Sequence, residues 1–377
     1  MSWRTVSIGE IATMKYGKLP PKETCGDDGF PIFTGYRISG FSKEYLYEDS
    51  EVIVVARGVG GTGDVKMSPA KSWITNLSIV LSVDPLQIHK RFLFYRLGQE
   101  PLKEKLNTGA AQAQITIENL QPYRFTIPTF DIQRRISDTL HSYDNLIENN
   151  RRRMTLLEDS ARLLYNEWFV RLRFPGYEHT SIVDGVPEGW ELKTLGEVSK
   201  INQINLSGTF DGEIEYIDIA SVTPNSINET TRYHFRDAPG RARRVVRHGD
   251  IIWSCVRPNR RSHAVIWQPP ENLIASTGFA VITPTSLPTS FLYQSVTADL
   301  FVGYLENHAK GAAYPAVVSG DFQRAEVLVP SSQLVTAFNA FAEPLLSQTN
   351  NLHLQNQKLR AARDLLLPRL MSGEINV

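Results

Sequence analysis

The chain has 377 residues, 42% of them hydrophobic and 10% aromatic, which is enough apolar material for two or three domains with real cores. Forty basic residues balance forty acidic ones, so net charge by itself announces no polyanionic partner. A mean hydropathy of -0.23 and the lack of any apolar run near 18 residues exclude a membrane-spanning helix. Cys25 and Cys255 lie far apart, neither has a Cys or His at metal-ligand spacing, and the N-terminus reads as folded sequence; the expectation is a soluble protein of a reducing cytoplasm.

Residues 1–130 contain short apolar runs separated by turn signals, which predicts a β-rich mixed domain. EVIVVAR (51–57), WITNLSIVLSVDP (73–85) and RFTIP (124–128) read as strands, and RFLFYRLGQEPLKEKL (91–106) reads as helix interrupted near Pro101. A long helix follows over 131–172. Residues 173–189, rich in Gly and Pro and without periodicity, read as a linker. Residues 190–330 restart the pattern of the first domain, and 331–377 hold a second long helix and a tail.

The helix over 131–172 carries a heptad seam. Ile136, Tyr143, Asn150, Leu157 and Leu164 step by seven, with Leu140, Ile147, Met154, Ala161 and Trp168 as the partner row. At 1.5 Å per residue it would be about 60 Å long. Adding 202 to the first row gives Phe338, Leu345, Leu352, Leu359 and Leu366, again apolar, whereas the second row becomes Ala342, Thr349, Asn356, Arg363 and Leu370. Two long helices with complementary seams most simply pack on each other, with Asn150 and Asn356 fixing register. Pro344 should kink or restart the second helix.

The shared offset belongs to an internal repeat of the whole chain. WRTVSIGEI at Trp3 returns as WELKTLGEV at Trp190, VIVV at Val52 as IIWS at Ile251, and FLFY at Phe92 as FLYQ at Phe291. GAAQAQI at Gly109 returns as GAAYPAV at Gly311, and the segment ending at Pro128 returns at Pro330. The offset grows from 187 through 199 to 202 within the globular parts and then stays constant along the helices. Variable globules on invariant helices look like two readers on one spacer.

Charge distribution supplies a candidate interface. Residues 232–261 hold nine arginines against two acids, Asp237 and Asp250. Guanidinium forks match phosphate oxygens and guanine edges, so Arg241, Arg243, Arg244, Arg257, Arg260 and Arg261, with Asn259 and His263, are candidates for DNA contact. The blander reading is a solvated face answering the acidic 211–218 stretch. In the first globule the candidates are Lys15, Lys18, Lys22, Arg37, Arg57, Lys66 and Lys71, interleaved with aromatics such as Tyr36. Gln112 and Gln114 of one GAA motif, and Tyr314 of the other, join them, because glutamine can read adenine bidentately; a plain tight turn serves equally. GVGGTG (58–63) follows a strand and formally matches a dinucleotide fingerprint, but Pro69 and the absence of helical period after it argue against that reading. The corresponding loop in the second globule, VRPNRRSH (256–263), has no glycine, which suggests a variable contact loop. RRR at 151–153, flanked by acids, reads as a solvated helix face or partner contact. No P-loop, HExxH, GxSxG, CxxC or amino-methyltransferase [DNS]-P-P-[FYW] signature is present.

The W-x-x-x-x-[IL]-G-E openings at Trp3 and Trp190, Pro128 and Gln133 at the start of the first helix, LLYNEWF (163–169) at its end and RFPG with VPEGW in the linker together resemble the specificity subunit of type I restriction-modification systems. The resemblance covers essentially the whole chain. It implies an α+β architecture of two α/β target-recognition domains in pseudo-twofold repeat (1–130 and 190–330), separated by an antiparallel coiled coil. It also implies a non-catalytic, cytoplasmic, prokaryotic chain that reads an asymmetric bipartite site on double-stranded DNA. Two modification subunits holding S-adenosylmethionine would dock along the helices and methylate adenine, and restriction subunits would add cleavage driven by ATP with Mg; this chain would bind no cofactor or metal itself. A coiled-coil scaffold whose paired globules bind protein is the alternative of a different class.

Overall fold

A computed structural model describes residues 3–58, 61–109 and 112–377. The chain divides into two units, one of Met1–Glu148 with Asn356–Val377 and the other of Asn149–Gln355, so that each long helix contributes to both.

In the first unit, strand Val52–Val55 is fully buried, as its run of β-branched residues requires. It pairs antiparallel with Val65–Met67 on one side and Ser78–Val83 on the other, and Ala12–Tyr16 extends the sheet beyond Ser78–Val83. A second four-stranded sheet runs in the order Cys25–Gly26, Ile38–Ser42, Phe30–Phe33, Trp73–Ile74. The stretch 73–85, expected as one strand, is thus divided between two sheets. Helix Lys90–Gly98 sends Phe92, Leu93, Tyr95 and Leu97 into the core, and Pro101 separates it from Leu102–Leu106.

The second unit has a sheet of the same order, Ser199–Ile201, Phe279–Pro284, Ile251–Ser254, His263–Val265, and a companion of Thr231–His234, Glu213–Ile217, Leu273–Ser276 and Ala242–Val245. Each unit also pairs its opening strand with a late one, Arg4–Ser7 with Arg124–Ile127 and Glu191–Thr194 with Glu326–Val329. The repeated opening motif has a local cause. Glu10 accepts from the Ser7 amide and Glu197 from the Thr194 amide, both at 2.7 Å, so [ST]-x-G-E is a capping box starting a one-turn helix.

The first long helix runs Phe130–Tyr165 and continues as a π turn, Asn166–Val170; Leu172, the expected end of the helix, has φ of 57°. In the first unit Ile136 and Leu140 share a core with Leu370 and Met371, and Leu366 packs against it. There Ile147 is buried, Tyr143 and Leu359 are half-buried, and the Asn356 amide donates to the Ile147 carbonyl over 3.2 Å. In the second unit Ala161, Tyr165 and Phe169 pack with Phe291, Phe338 and Ala342, and Leu164 and Leu345 lie against that core. Asn150 and Leu352 are buried there, and Met154 and Leu157 are half-buried.

Pro344 does not break the second helix, which runs unbroken over Ser332–Ser372. An interior proline costs about 3 kcal/mol, but Ala342, Leu345 and Leu346 around it are packed on the unit's core, and that burial holds the turn. Arg363, a misfit in an apolar seam, is accommodated by Asp144 and Asp364. The linker is anchored at both ends: Phe174 and Trp190 are buried with ring centres 4.8 Å apart, and Ile182–Val183 pairs with Val186–Pro187 between them.

Candidate nucleic-acid interface

Two loops singled out separately in the sequence meet in each unit. In the first, the chain leaving Val52–Val55 pairs with the segment after Gly109: the Ile115 amide donates to the Ala56 carbonyl over 2.8 Å, and Arg57 bridges Gln114. In the second, the Val317 amide donates to the Cys255 carbonyl over 2.9 Å, and Val256 bridges Ala316. These are the same positions under the repeat offsets of 202 and 199. The sequence carried a signal for this pairing, since both motifs recur in the same order, but the motifs there stand about 50 residues apart.

In the first unit the glycines serve a side chain. Tyr36 donates to the Arg57 carbonyl over 3.2 Å, and a Cβ at Gly58 or Gly61 would fall 2.3 Å from its phenol. Thr62 Oγ1 donates to the Ala113 carbonyl, which ties the two loops together. The next element is strand Val65–Met67, not a helix, consistent with rejecting the dinucleotide fingerprint. Val59 and Gly60 of GVGGTG and Ala110 and Ala111 of the GAA motif lie outside the described residues. Arg57 and Gln112 are exposed at this junction and Gln114 is half-buried. The other candidates are exposed but not gathered with them: Lys66 pairs with Asp64 and Lys71 with Glu48, while Lys15, Lys18, Lys22 and Arg37 sit on other segments.

In the second unit a 3-10 turn, Pro258–Arg260, is bracketed by Arg257 and Arg261, both at φ of 52°, a left-handed conformation unusual for residues with a Cβ. Two bonds to the partner loop hold Arg257: its amide donates to the Pro315 carbonyl over 2.7 Å and its Nη2 to the Ala313 carbonyl over 3.3 Å. Its guanidinium lies over the exposed Tyr314 ring. Asn259 and Arg260 are exposed at the turn's tip, and Arg261 pairs with Asp299.

The arginine-rich stretch is not one cluster. Arg241 leads into Ala242–Val245, the edge strand of the other sheet. There Arg243 lies 4.5 Å over Phe235, and half-buried Arg244 donates to Asn205. His263 is not offered to a ligand outside the fold: it is 4% exposed, hydrogen-bonded to the Tyr293 hydroxyl, and burial holds it down to about 3, so it stays neutral. Its removal from the candidates follows from its place on a strand with an inward face, which a run of basic residues does not reveal. Among the described residues no group of His, Cys, Asp and Glu is placed to hold a metal ion, and no helix is long and apolar enough to cross a membrane.

Residues 1–159 match the family model described as Type I restriction modification DNA specificity domain. The chain is similar to the Methanocaldococcus jannaschii type I restriction enzyme MjaIX specificity subunit, 22% identical over 76% of this chain and 69% of that one. It is also similar to the Haemophilus influenzae type I restriction enzyme HindI specificity subunit, 22% identical over 70% of this chain and 71% of that one. In fold it is like the type I restriction-modification S subunit of M. genitalium, with a TM-score of 0.65 at 19% identity, covering 98% of this chain and 96% of that one. The likeness to type I restriction-modification specificity subunits that the repeated motifs led us to expect is borne out by the matched N-terminal domain and these relatives.

Proposed function

We propose that this chain reads a bipartite, asymmetric double-stranded DNA target, one part with each globule, through the paired loops at 57–63 with 109–115 and at 256–262 with 310–317. The observation that carries the reading is the recurrence of one backbone frame, Ala56 with Ile115 and Cys255 with Val317, presenting different side chains. A fixed frame with Gly, Tyr and Gln in one copy and Arg and Tyr in the other is what two readers of unlike sequences require. The two long helices act in this reading as an antiparallel coiled-coil spacer. Two modification subunits dock along it and supply S-adenosylmethionine and the methyl transfer to adenine, and restriction subunits supply ATP-driven cleavage with Mg; the chain itself contributes recognition. The test is to map methylated bases in cells carrying the intact system or a variant with Tyr36→Ala and Arg57→Ala. Altered bases at one part of the site, with the other unchanged, support the reading. An unaltered methylation pattern in a folded, assembled variant overturns the role of this loop pair.

A further inference from the structure

The two units differ where a long helix meets the globule. In the first, Asp144 accepts from Arg363 over 2.6 Å and from the Tyr95 hydroxyl, so that a guanidinium, a carboxylate and a phenol fill the junction. The repeat offsets relate Arg363, Asp144 and Tyr95 to Ala161, Leu346 and Gln294 of the second unit. All three of these line a cavity of about 320 Å³. The guanidinium that fills the junction in one copy has become an alanine in the other.

The Asp144 counterpart is a leucine, but an acid at another position lines the cavity for a cation to meet. Glu158 lines it and accepts from Asn225 Nδ2 over 2.9 Å; Asn225 Oδ1 accepts from the Tyr293 hydroxyl over 2.7 Å, and His263 Nδ1 lies 3.1 Å from that hydroxyl. The Asn225 amide is neutral, so this hydrogen bond brings no countercharge to the acid. The lining arginines are engaged elsewhere, Arg162 with Asp159 at 2.7 Å and Arg261 with Asp299 at 2.6 Å. Burial pushes the Glu158 carboxyl up to about 7 against the Asn225 hydrogen bond, with Asp159 adding to the rise and Arg162 opposing it. Apolar lining comes from Leu157, Leu345 and Leu346.

We propose that this cavity binds a small organic cation of the alkylguanidinium or alkylammonium class, its charged head on Glu158 and its alkyl part against the leucines. The site is independent of which loops read DNA. A guanidinium is charged throughout the working range, so affinity follows ionisation of Glu158 and rises about tenfold from pH 6 to pH 8. Asp159 and Arg162 on the same helix, and Arg261, His263 and Tyr293 from the globule, are the other ionisable groups lining the cavity; the second helix contributes Leu345, Leu346 and Thr349, none ionisable in that range.

The experiment is calorimetric titration of the full chain with ethylguanidinium and with ethylammonium at pH 6 and pH 8, against sodium chloride at equal ionic strength. Saturable binding that strengthens at pH 8 and weakens about tenfold or more in Glu158→Gln is expected. Ala161→Arg, which restores the missing guanidinium, should abolish binding; if that variant does not fold, Glu158→Gln decides alone. Heats no different from sodium chloride, or affinity unchanged by Glu158→Gln, overturn the proposal.

Discussion

The guanidinium of Arg257 lies 4.5 Å from the centre of the Tyr314 ring, joining two loops that stand 57 residues apart along the chain. Such a stack on an exposed ring contributes about 0.5–1 kcal/mol and costs little stability to remove. Arg257→Ala should therefore leave the unfolding midpoint nearly unchanged while weakening binding of the assembled complex to its target by about 1–3 kcal/mol if it reads a base. A uniform loss across all sequences, with a shallower salt dependence, would instead assign it to phosphate. Competition binding at several salt concentrations separates the two.

Gly61 makes room for Tyr36, and its replacement should be felt through that ring. Gly61→Ala would set a methyl 2.3 Å from Tyr36 Cε1 and is expected to destabilise the first unit by about 1–3 kcal/mol. In a Tyr36→Ala background the same change should cost much less. A double-mutant cycle by urea unfolding checks this, and additive effects would deny the contact its role.

Asp144 holds two elements at once, Arg363 of the second long helix and Tyr95 of the globule. Asp144→Ala should destabilise the first unit by about 1–3 kcal/mol, less than a fully buried pair because both charged side chains keep 28% exposure and Arg363 retains Asp364. Chemical denaturation followed by circular dichroism measures it; a change within error would show that the apolar seam alone sets this junction.

Glu158 gives the second unit a pH dependence of definite sign. Its carboxyl rises from 4.5 to about 7 on folding, so the folded state binds the proton more tightly. Its stabilising contribution is complete below pH 4.5 and is lost as pH rises through 7. Glu158→Gln should match the parent near pH 4.5 and exceed it above pH 7 by something on the order of 2 kcal/mol. His263, held neutral by burial at about 3, acts oppositely: its contribution is present above 6.5 and is lost as pH falls. Thermal unfolding from pH 4.5 to 8 for parent and variant resolves the two slopes.

If the helices are the spacer, adding one turn of about four residues to both lengthens it by roughly 6 Å. DNA rises about 3.4 Å per base pair. The gap between the two parts of the methylated site should grow by about one to two base pairs while the bases read stay the same. An unchanged gap in an active complex would show that the helices do not measure it.

Much of this protein was legible before any coordinates. Periodicity of seven located both long helices, because an apolar seam must face a partner whatever else surrounds it. The buried strands Val52–Val55 and Ile251–Ser254 were legible as β-branched runs, and the repeat announced that one design occurs twice. The helix does not restart at Pro344, because local propensity says nothing of the packing that holds Ala342, Leu345 and Leu346 around it. Linear charge density does not tell which strand face each side chain of the arginine-rich stretch takes: His263 is buried and Arg243 covers Phe235. Only the tertiary structure brought Arg57 to Gln114, Arg257 to Tyr314 and Glu158 to Asn225. Contacts between residues 57 to 67 positions apart depend on how sheets close and helices dock, and a pattern read along the chain carries local preference and periodicity but not that closure.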